Sequence, residues 1–170
     1  MGSWVAKLAT SSNNSRLQRS GHADASWETA ASTSGWVVTW QGAAIQWGSR
    51  KQKCIALSTC EAEIIALSEG AKDMVYFRKL VGGLGAAEAG PSSLATDSQS
   101  ARDVSYNPQH HDRMKHVQRR HFFIRDMVES FEIEVPFVRT ADNVADMFTK
   151  PMRNANDFHR LRRVIMNESP

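Results

Sequence analysis

A long amphipathic helix pattern that follows a hairpin pattern is the feature that most constrains the fold of this chain. From residue 58 to about residue 81, apolar side chains recur at the helical period, with Ile64, Leu67, Ala71 and Met74 on one face. An apolar helix face has to be covered by other apolar groups. We therefore expect this face to pack against a sheet.

Two apolar runs, residues 35–40 and 43–47, come before the helix and are separated by Gln41-Gly42. Runs rich in Val, Trp and Ile around a short turn that contains Gly predict an antiparallel hairpin. A third short extended segment is expected at residues 54–57. The pair Gly82-Gly83 is expected to end the helix.

Shorter patterns after the helix complete the predicted order of elements. Pro108 limits the helix before it, and Pro136 favours an edge position for the strand that contains it. The order predicts a mixed α/β domain in which an antiparallel hairpin is extended by parallel strands through helical crossovers. The predicted elements are a strand at 93–96, helices at 98–105 and 112–129, a strand at 133–138, a helix capped by Asp142 or Asn143, and a helix at 155–166.

The composition is that of one ordinary globular domain. The 170 residues are 41% apolar and 23% charged, and no apolar run reaches the length of about eighteen residues that crosses a bilayer. Residues 1–20 are predicted to be an arm that includes a cloning remnant, and residues 21–170 are predicted to be the domain. Cys54 and Cys60 fit no metal or redox motif, which favours a reduced intracellular setting.

Five acidic residues lie near predicted strand ends or helix starts: Asp24, Glu61, Glu63, Asp97 and Asp146. Taken singly, each is better explained as a turn, cap or solvent-facing residue. Four acids brought together could hold two divalent metal ions for phosphodiester chemistry. Glu61 and Glu63 are about 200° apart on a helix, so only one of them fits such a site, and the helix period leaves the choice open.

Basic residues concentrate in two short segments, which suits a polyanionic partner. Residues 50–53 follow the hairpin, and residues 109–125 contain five Lys or Arg, four His and a single Asp. The second segment has three interpretations: contact with nucleic-acid phosphates, a zinc site made by its histidines, or a solvated helix face. The histidines are His110, His111, His116 and His121, and their spacing matches no closed zinc motif.

Six blocks of sequence carry a family resemblance. They are Ser34-Gly35-Trp36-Val37, Trp47-Gly48-Ser49-Arg50-Lys51-Gln52, Ala56-Leu57-Ser58-Thr59-Cys60-Glu61-Ala62-Glu63, Asp97-Ser98-Gln99-Ser100-Ala101, Lys115-His116-Val117 and Ala145-Asp146-Met147-Phe148-Thr149-Lys150-Pro151. In this order they resemble the ribonuclease H domain of copia-type (Pseudoviridae-like) retrotransposon polyproteins. The resemblance implies a ribonuclease H fold, with a five-stranded mixed sheet flanked by helices. It also implies cleavage of the RNA strand of an RNA/DNA hybrid with two Mg²⁺ or Mn²⁺ ions.

The resemblance also implies a set of catalytic metal ligands. They are Asp24, Glu63, Asp97 and Asp146. It favours Glu63 over Glu61, because Ala62-Glu63-Ile64-Ile65-Ala66 is similar to the pattern around the helical Glu of the wider superfamily. The family usually has a second Asp two residues after Asp24, where this chain has Ser26.

Further implications concern partners and location. The resemblance implies an RNA/DNA hybrid as partner, fusion to or association with a reverse transcriptase, no membrane partner, and an intracellular location in retroelement particles or polyprotein. The predicted hybrid contacts are Arg50, Lys51, Gln52, Ser98, Gln99, Arg113, Lys115, His116, Arg119 and Arg120. Two other functions stay open: a weak or inactive module of this fold that binds nucleic acid or acts as a tether, and an integrase- or resolvase-like DNA nuclease.

Overall fold

The computed structural model describes residues 19–27, 31–86, 90–107 and 118–168. Within these residues five strands form one sheet with the order β3-β2-β1-β4-β5. The strands are β1 (Arg19–Ser26), β2 (Thr33–Trp40), β3 (Ala43–Lys51), β4 (Ser92–Ala95) and β5 (Ile133–Glu134). β1, β2 and β3 pair antiparallel, whereas β4 is parallel to β1 and β5 is parallel to β4. The predicted mixed sheet is therefore confirmed.

The hairpin turn consists of two residues in the left-handed region, Gln41 at φ 54° and Gly42 at φ 83°. Positive φ at both central positions matches the twist of paired strands, so the predicted hairpin is confirmed. The extended segment predicted at residues 54–57 is wrong, since no strand forms there. The chain bends at this point to reach the helix cap, where the Leu57 N–H donates to the Glu61 carboxylate at 2.8 Å.

α1 (Thr59–Gly83) starts at the predicted place and ends slightly later than expected. Ser58 is its N-cap, and the Ser58 side chain accepts a hydrogen bond from the Glu61 N–H at 3.1 Å. The pair Gly82-Gly83 lies inside the helix, and the left-handed residue after its end is Gly85 at φ 78°. A glycine still follows the helix end, because only a residue without Cβ takes this conformation freely, but it is not the predicted one.

Apolar clusters cover the two faces of the sheet. The larger cluster joins α1 to the central strands and contains the predicted face of Ile64, Leu67, Ala71 and Met74, all buried. Val37 of β2 belongs to the smaller cluster on the opposite face, because side chains alternate along a strand. The other buried members of the smaller cluster are Val144, Leu161 and Ile165. The expected packing of the helix face on the sheet is confirmed.

The remaining helices lie around this centre. They are α2 (Gln99–Tyr106), α3 (Gln118–Glu129), a first 3₁₀ helix (Thr140–Asp142), a second 3₁₀ helix (Val144–Phe148) and α4 (Ala155–Ile165). β5 is an edge strand, as Pro136 predicted, but it is shorter than the strand expected at 133–138 and ends before the proline. The helix expected around Asp146 is a 3₁₀ helix, because the segment between its cap Asn143 and Pro151 is short and 3₁₀ geometry suits short segments.

Two predictions touch the limits of the described residues. Of the predicted arm, residues 1–20, only the last two are described, and both belong to β1. Of the helix predicted at 112–129, the described part begins at Gln118. Over the described ranges, no helix is long and apolar enough to span a membrane.

Gly35 of β2 allows the second 3₁₀ helix and the turn after it to approach the sheet. A Cβ at this position would lie 2.7 Å from Thr149 Cγ2 and 2.9 Å from the Ala145 carbonyl oxygen. Gly35→Ala is expected to lower the free energy of unfolding by about 1–3 kcal/mol through overpacking, as measured by chemical denaturation. Gly82→Ala is the control, because a Cβ there meets nothing within 4 Å and Ala favours a helix by up to about 1 kcal/mol. Equal stability of the two variants would contradict this account.

Candidate active site

Asp24 lies near the end of the central strand β1, on the face turned away from α1. Its neighbours Ala23 and Ala25 pack with α1 in the larger cluster, and strand side chains alternate between faces. Asp24 is 4% exposed. Thr149 Oγ1 donates a hydrogen bond to Asp24 Oδ2 at 2.6 Å. The carboxylate is therefore held between the sheet and the turn after the second 3₁₀ helix.

Asp97 follows β4, which is the parallel neighbour of β1. The two strands pair up to Ala95, so they present Asp97 and Asp24 at the same edge of the sheet. The buried Asn143 side chain donates from Nδ2 to Asp97 Oδ1 at 3.1 Å and to the Ala23 carbonyl oxygen at 3.2 Å. This amide ties the segment after β4 to β1.

Glu63 reaches the same edge from the second turn of α1. The Ala25 backbone N–H donates to Glu63 Oε1 at 3.3 Å. The other oxygen, Oε2, is buried and has no hydrogen-bond partner among the described residues. Asp24, Glu63 and Asp97 each offer an oxygen that lies within 4.8 Å of the others. These three predicted ligands therefore meet.

Glu61 does not join this group. Its carboxylate accepts the Leu57 N–H and its own N–H donates to Ser58, so it forms a reciprocal cap at the start of α1. The structure thus gives Glu61 a stabilising position and Glu63 a position beside the two aspartates. The catalytic role of Glu63 stays a prediction.

Asp146 lies on the second 3₁₀ helix, next to Asp24, Glu63 and Asp97. It is not one of the three residues whose oxygens lie within 4.8 Å of one another. It is 8% exposed. Lys150 Nζ donates to Asp146 Oδ1 at 2.9 Å and forms an ion pair with it. The fourth predicted ligand is therefore close to the others and is held by an ammonium group.

Burial and mutual repulsion raise the pKa of two of these carboxyl groups. Burial is the main cause that raises the pKa of Glu63 to about 9, and the charges of Asp24 and Asp97 add to it. Burial also raises the pKa of Asp24 to about 7, against the hydrogen bond from Thr149 and with the charges of Asp146 and Asp97. Near neutral pH such a group of acids favours either bound protons or a bound cation.

The donor set fits a hard divalent cation. Carboxylate oxygens are the protein ligands that Mg²⁺ and Mn²⁺ prefer, and the group of three contains only carboxylates. The buried Glu63 Oε2, which lacks a partner among the described residues, is an acceptor that a cation would satisfy. These residues could therefore bind a divalent metal.

A cleft of about 210 Å³ collects part of the predicted nucleic-acid surface. Arg50 and Lys51, at the end of β3, line it together with Arg120 of α3. Arg50 is exposed, lies over the Trp36 ring at 5.6 Å and pairs with Glu69 at 3.8 Å. Residues from the hairpin and from a distant helix thus form one basic surface, which we call the basic cleft.

Gln52 also lines this cleft but is 7% exposed. Its Nε2 donates to Ser34 Oγ at 2.9 Å and to the Ala62 carbonyl oxygen at 3.0 Å. It connects β2 to α1 beneath the basic residues. The geometry gives Gln52 a supporting position rather than that of a surface contact.

The other predicted contacts are divided among several places. Ser98 Oγ caps α2 by accepting the Ala101 N–H at 3.2 Å, and Gln99 is exposed beside it. Arg119 is exposed on α3. The predicted contacts Arg113, Lys115 and His116, and the histidines His110 and His111, lie outside the described residues.

Sequence reasoning did not identify Asn143, Thr149 and Lys150 as residues that touch the acids. Asn143 was recognised only as a possible cap, which it also is, since its side chain accepts the Ala145 N–H at 3.2 Å. Thr149 and Lys150 come three and four residues after Asp146 in the sequence. A hydroxyl and a cationic side chain about one helical turn after a carboxylate could have indicated these contacts from the sequence.

Comparison with known sequences gives relatives among the polyproteins of plant transposons. The chain is 42% identical over 119 residues to the retrovirus-related Pol polyprotein from transposon TNT 1-94 of Nicotiana tabacum. It is 33% identical over 135 residues to the corresponding polyprotein from transposon RE1 of Arabidopsis thaliana. The matches cover 70% and 77% of this chain but only 9% of each polyprotein, so the chain spans under a tenth of the length of these relatives. No protein-family model matches the chain.

Solved structures give the fold. The N-terminal RNase H domain of rv2228c from Mycobacterium tuberculosis is 15% identical with a TM-score of 0.57, over 86% of this chain and 97% of that one. The chain has the ribonuclease H fold and is a homologue of transposon Pol polyproteins. Its fold is also similar to LC11-RNase H1 in complex with an RNA/DNA hybrid, at 13% identity and TM-score 0.57 over 78% and 94% of the chains. The foamy viral protease-reverse transcriptase in complex with RNA/DNA hybrid matches at 16% identity and TM-score 0.50, over 79% of this chain and 19% of that one.

The raised pKa values predict how the stability of this ribonuclease H-fold domain depends on pH without metal. When the pKa of a carboxyl group is higher in the folded than in the unfolded protein, the folded state binds the proton more tightly. The stability that this provides is fully present below about pH 4. It is lost as the pH rises through about 7 for Asp24 and about 9 for Glu63. In EDTA, Glu63→Gln should melt higher than wild type at pH 9, by about 2–4 °C per kcal/mol of repulsion removed. Differential scanning calorimetry from pH 5 to 9 measures this.

Glu61→Gln is the matched control for that experiment. It neutralises an acid on the same helix but weakens the cap, so it should melt below wild type across the whole pH range. Adding Mg²⁺ at pH 8 should stabilise wild type more than Glu63→Gln. If Glu63→Gln melts below wild type at pH 9 in EDTA, the charged Glu63 carboxylate does not destabilise the metal-free protein and this account is refuted.

Proposed function

We propose that this domain hydrolyses the RNA strand of RNA/DNA hybrids by two-metal-ion catalysis, as part of the reverse transcription of a copia-type retrotransposon. The observation that carries the proposal is the group of Asp24, Glu63 and Asp97, with oxygens within 4.8 Å of one another, and Asp146 beside it. The ribonuclease H fold and the relationship to transposon Pol polyproteins support the same reaction.

Asp24, Glu63, Asp97 and Asp146 would hold two Mg²⁺ or Mn²⁺ ions. When bound, such ions supply an activated water and stabilise the leaving 3′ oxygen, which yields 5′-phosphate and 3′-hydroxyl ends. Asp24 has the central role, since it lies on the middle strand of the sheet, within reach of Glu63 from α1 and of Asp97 after β4. Asn143 and Thr149 keep the carboxylates of Asp97 and Asp24 oriented through their hydrogen bonds.

The basic cleft would bind the hybrid through its phosphates. Arg50, Lys51 and Arg120 offer cationic groups on one surface, and phosphate contacts position a duplex without reading its sequence. Arg119, Ser98 and Gln99 would contact the hybrid elsewhere, and Gln52 supports the cleft from below. A hybrid held here brings its RNA strand to the acidic edge of the sheet.

The domain would act inside a larger polyprotein, fused to or associated with a reverse transcriptase. Its curated relatives are Pol polyproteins, and a protease-reverse transcriptase contains a region of similar fold. We accordingly propose an intracellular location in retroelement particles or polyprotein. A weak or inactive module that binds nucleic acid, and an integrase- or resolvase-like DNA nuclease, are the alternatives that the following assay separates.

The proposed reaction predicts metal-dependent loss of the RNA strand of a labelled hybrid. Wild type with Mg²⁺ or Mn²⁺ should cleave the hybrid and leave single-stranded RNA and duplex DNA intact, and EDTA should abolish cleavage. Glu63→Gln and Asp97→Asn should each lower kcat by at least about 100-fold, because loss of even an outer partner of a metal ligand costs about 10- to 100-fold. Gel electrophoresis of the labelled strands measures the rates.

Glu61→Gln is the matched control and should retain activity within about threefold at a temperature where it is folded. Full activity of Asp97→Asn would contradict the proposal. So would equal losses of activity in Glu63→Gln and Glu61→Gln when both variants are folded to the same extent. Binding without cleavage by wild type would favour the inactive module, and cleavage of duplex DNA would favour the DNA nuclease.

The basic cleft predicts a second kinetic effect. Arg50→Ala and Arg120→Ala should raise KM for the hybrid with little change in kcat, and each should reduce the salt dependence of binding by about one released counterion. Arg162→Ala is the control, because Arg162 pairs with Glu168 at 3.0 Å near the end of α4, outside the cleft. An unchanged KM in both cleft variants would remove the cleft from the substrate surface.

A further inference from the structure

Two consecutive residues after the second 3₁₀ helix contact two of the proposed metal ligands. Thr149 Oγ1 donates to Asp24 Oδ2 at 2.6 Å, and Lys150 Nζ donates to Asp146 Oδ1 at 2.9 Å. The backbone holds both in place, since the Asp146 carbonyl oxygen accepts the N–H groups of Thr149 at 3.2 Å and of Lys150 at 3.4 Å. The lysine is therefore fixed one turn from the acid with which it pairs.

The Lys150 ammonium stands where Asp146 needs a positive charge. Asp146 lies beside two carboxylates, the buried Asp24 and the half-buried Asp97, and Lys150 interacts electrostatically with both of these as well. A cation at this point reduces the repulsion within the acidic group without any metal. Lys150 thus has the electrostatic effect that a metal ion would have at the same carboxylate.

The ion pair is also easy to open from one side. The Lys150 side chain is 50% exposed, whereas the Asp146 side chain is 11% exposed. A half-exposed lysine has a long flexible stem and a strongly hydrated head, so its ammonium can move into solvent while the buried carboxylate stays. Partly exposed pairs of this kind are weak.

We propose that Lys150 is a built-in counter-ion, which neutralises Asp146 in the metal-free protein and has to leave this carboxylate before Asp146 ligates a cation. Metal binding at Asp146 is then a replacement of one cation by another, and Lys150 lowers the affinity for the incoming ion. Lys150 acts through Asp146 and is a positioning residue. The inference rests on the proposed function, because it takes Asp146 as a ligand.

The test compares Mn²⁺ binding and metal-free stability in the full chain. In isothermal titration calorimetry, Lys150→Gln should bind Mn²⁺ at the weaker of two sites on the order of tenfold more tightly than wild type. In EDTA at pH 8 it should melt at a lower temperature, whereas Lys150→Arg should keep both wild-type values. Lys72→Gln is the matched control, since Lys72 is 51% exposed and pairs with Glu69 at 2.9 Å, away from the acids.

A double-mutant cycle with Asp146→Asn identifies the partner. Once Asp146 is neutral, Lys150→Gln should change Mn²⁺ affinity and metal-free stability much less than it does in wild type, because only the weaker interactions with Asp24 and Asp97 are left, and an undiminished effect there would overturn the inference. If wild type binds Mn²⁺ but Lys150→Gln gives the same affinity and melting temperature as Lys72→Gln, this inference is overturned and the proposed function still stands. Wild type that binds no Mn²⁺ overturns both.

Discussion

The gathering of acidic side chains at the end of the central strand is the constraint on which the rest of the structure depends. Two unit charges about 5 Å apart repel by about 3 kcal/mol at an effective dielectric constant of 20, more than the roughly 1 kcal/mol of a typical hydrogen bond. The protein offsets this repulsion with the Ala25 N–H, the Asn143 amide, the Thr149 hydroxyl and the Lys150 ammonium. The raised pKa values of two of the acids follow from burial and from the repulsion that remains, and this remaining negative charge makes the group a receptor for cations.

The scaffold holds the four acids with unequal firmness. Asp24, Glu63 and Asp97 come from β1, from the second turn of α1 and from the residue pair after β4, all packed around the larger apolar cluster. Asp146 comes from a five-residue 3₁₀ helix that depends on the smaller cluster and on close approach at Gly35. Among the four predicted ligands, Asp146 is therefore the one whose position and charge are most open to adjustment, and it is the one that pairs with a lysine.

The basic cleft shows how residues outside the core give a common fold a charged surface of its own. Solved structures that are only 13–15% identical share this fold, which depends on apolar periodicity rather than on particular residues. Arg50 is exposed and Arg120 is half-buried, and the packing of the fold requires neither of their cationic groups. They meet because the end of the hairpin and α3 both line the cleft beside Ile65 and Glu69 of α1, and Gln52 connects sheet and helix there.

Much of the fold could be predicted from the sequence because it depends on local rules. The hairpin turn at Gln41-Gly42, the buried face of α1 and the edge position of β5 follow from φ preferences, apolar period and proline. The wrong predictions concern where elements begin and end: residues 54–57 bend toward a helix cap instead of forming a strand, and the chain continues in a helix through Gly82-Gly83. Asp146 lies on a 3₁₀ helix because its segment is short.

Glu61 and Glu63 mark the boundary between what the sequence by itself determined and what only the tertiary structure decided. The sequence determined that both acids would lie at the start of one helix and that they would point in different directions. Glu61 accepts a hydrogen bond from Leu57, four positions away, and a contact this close in the sequence can be predicted from local patterns. Glu63 takes Ala25 from 38 positions away, and Thr149 reaches Asp24 across 125 positions. Only the folded sheet brings such residues together, because parallel pairing of β1 and β4 and the packing of α1 set distances that no local pattern contains.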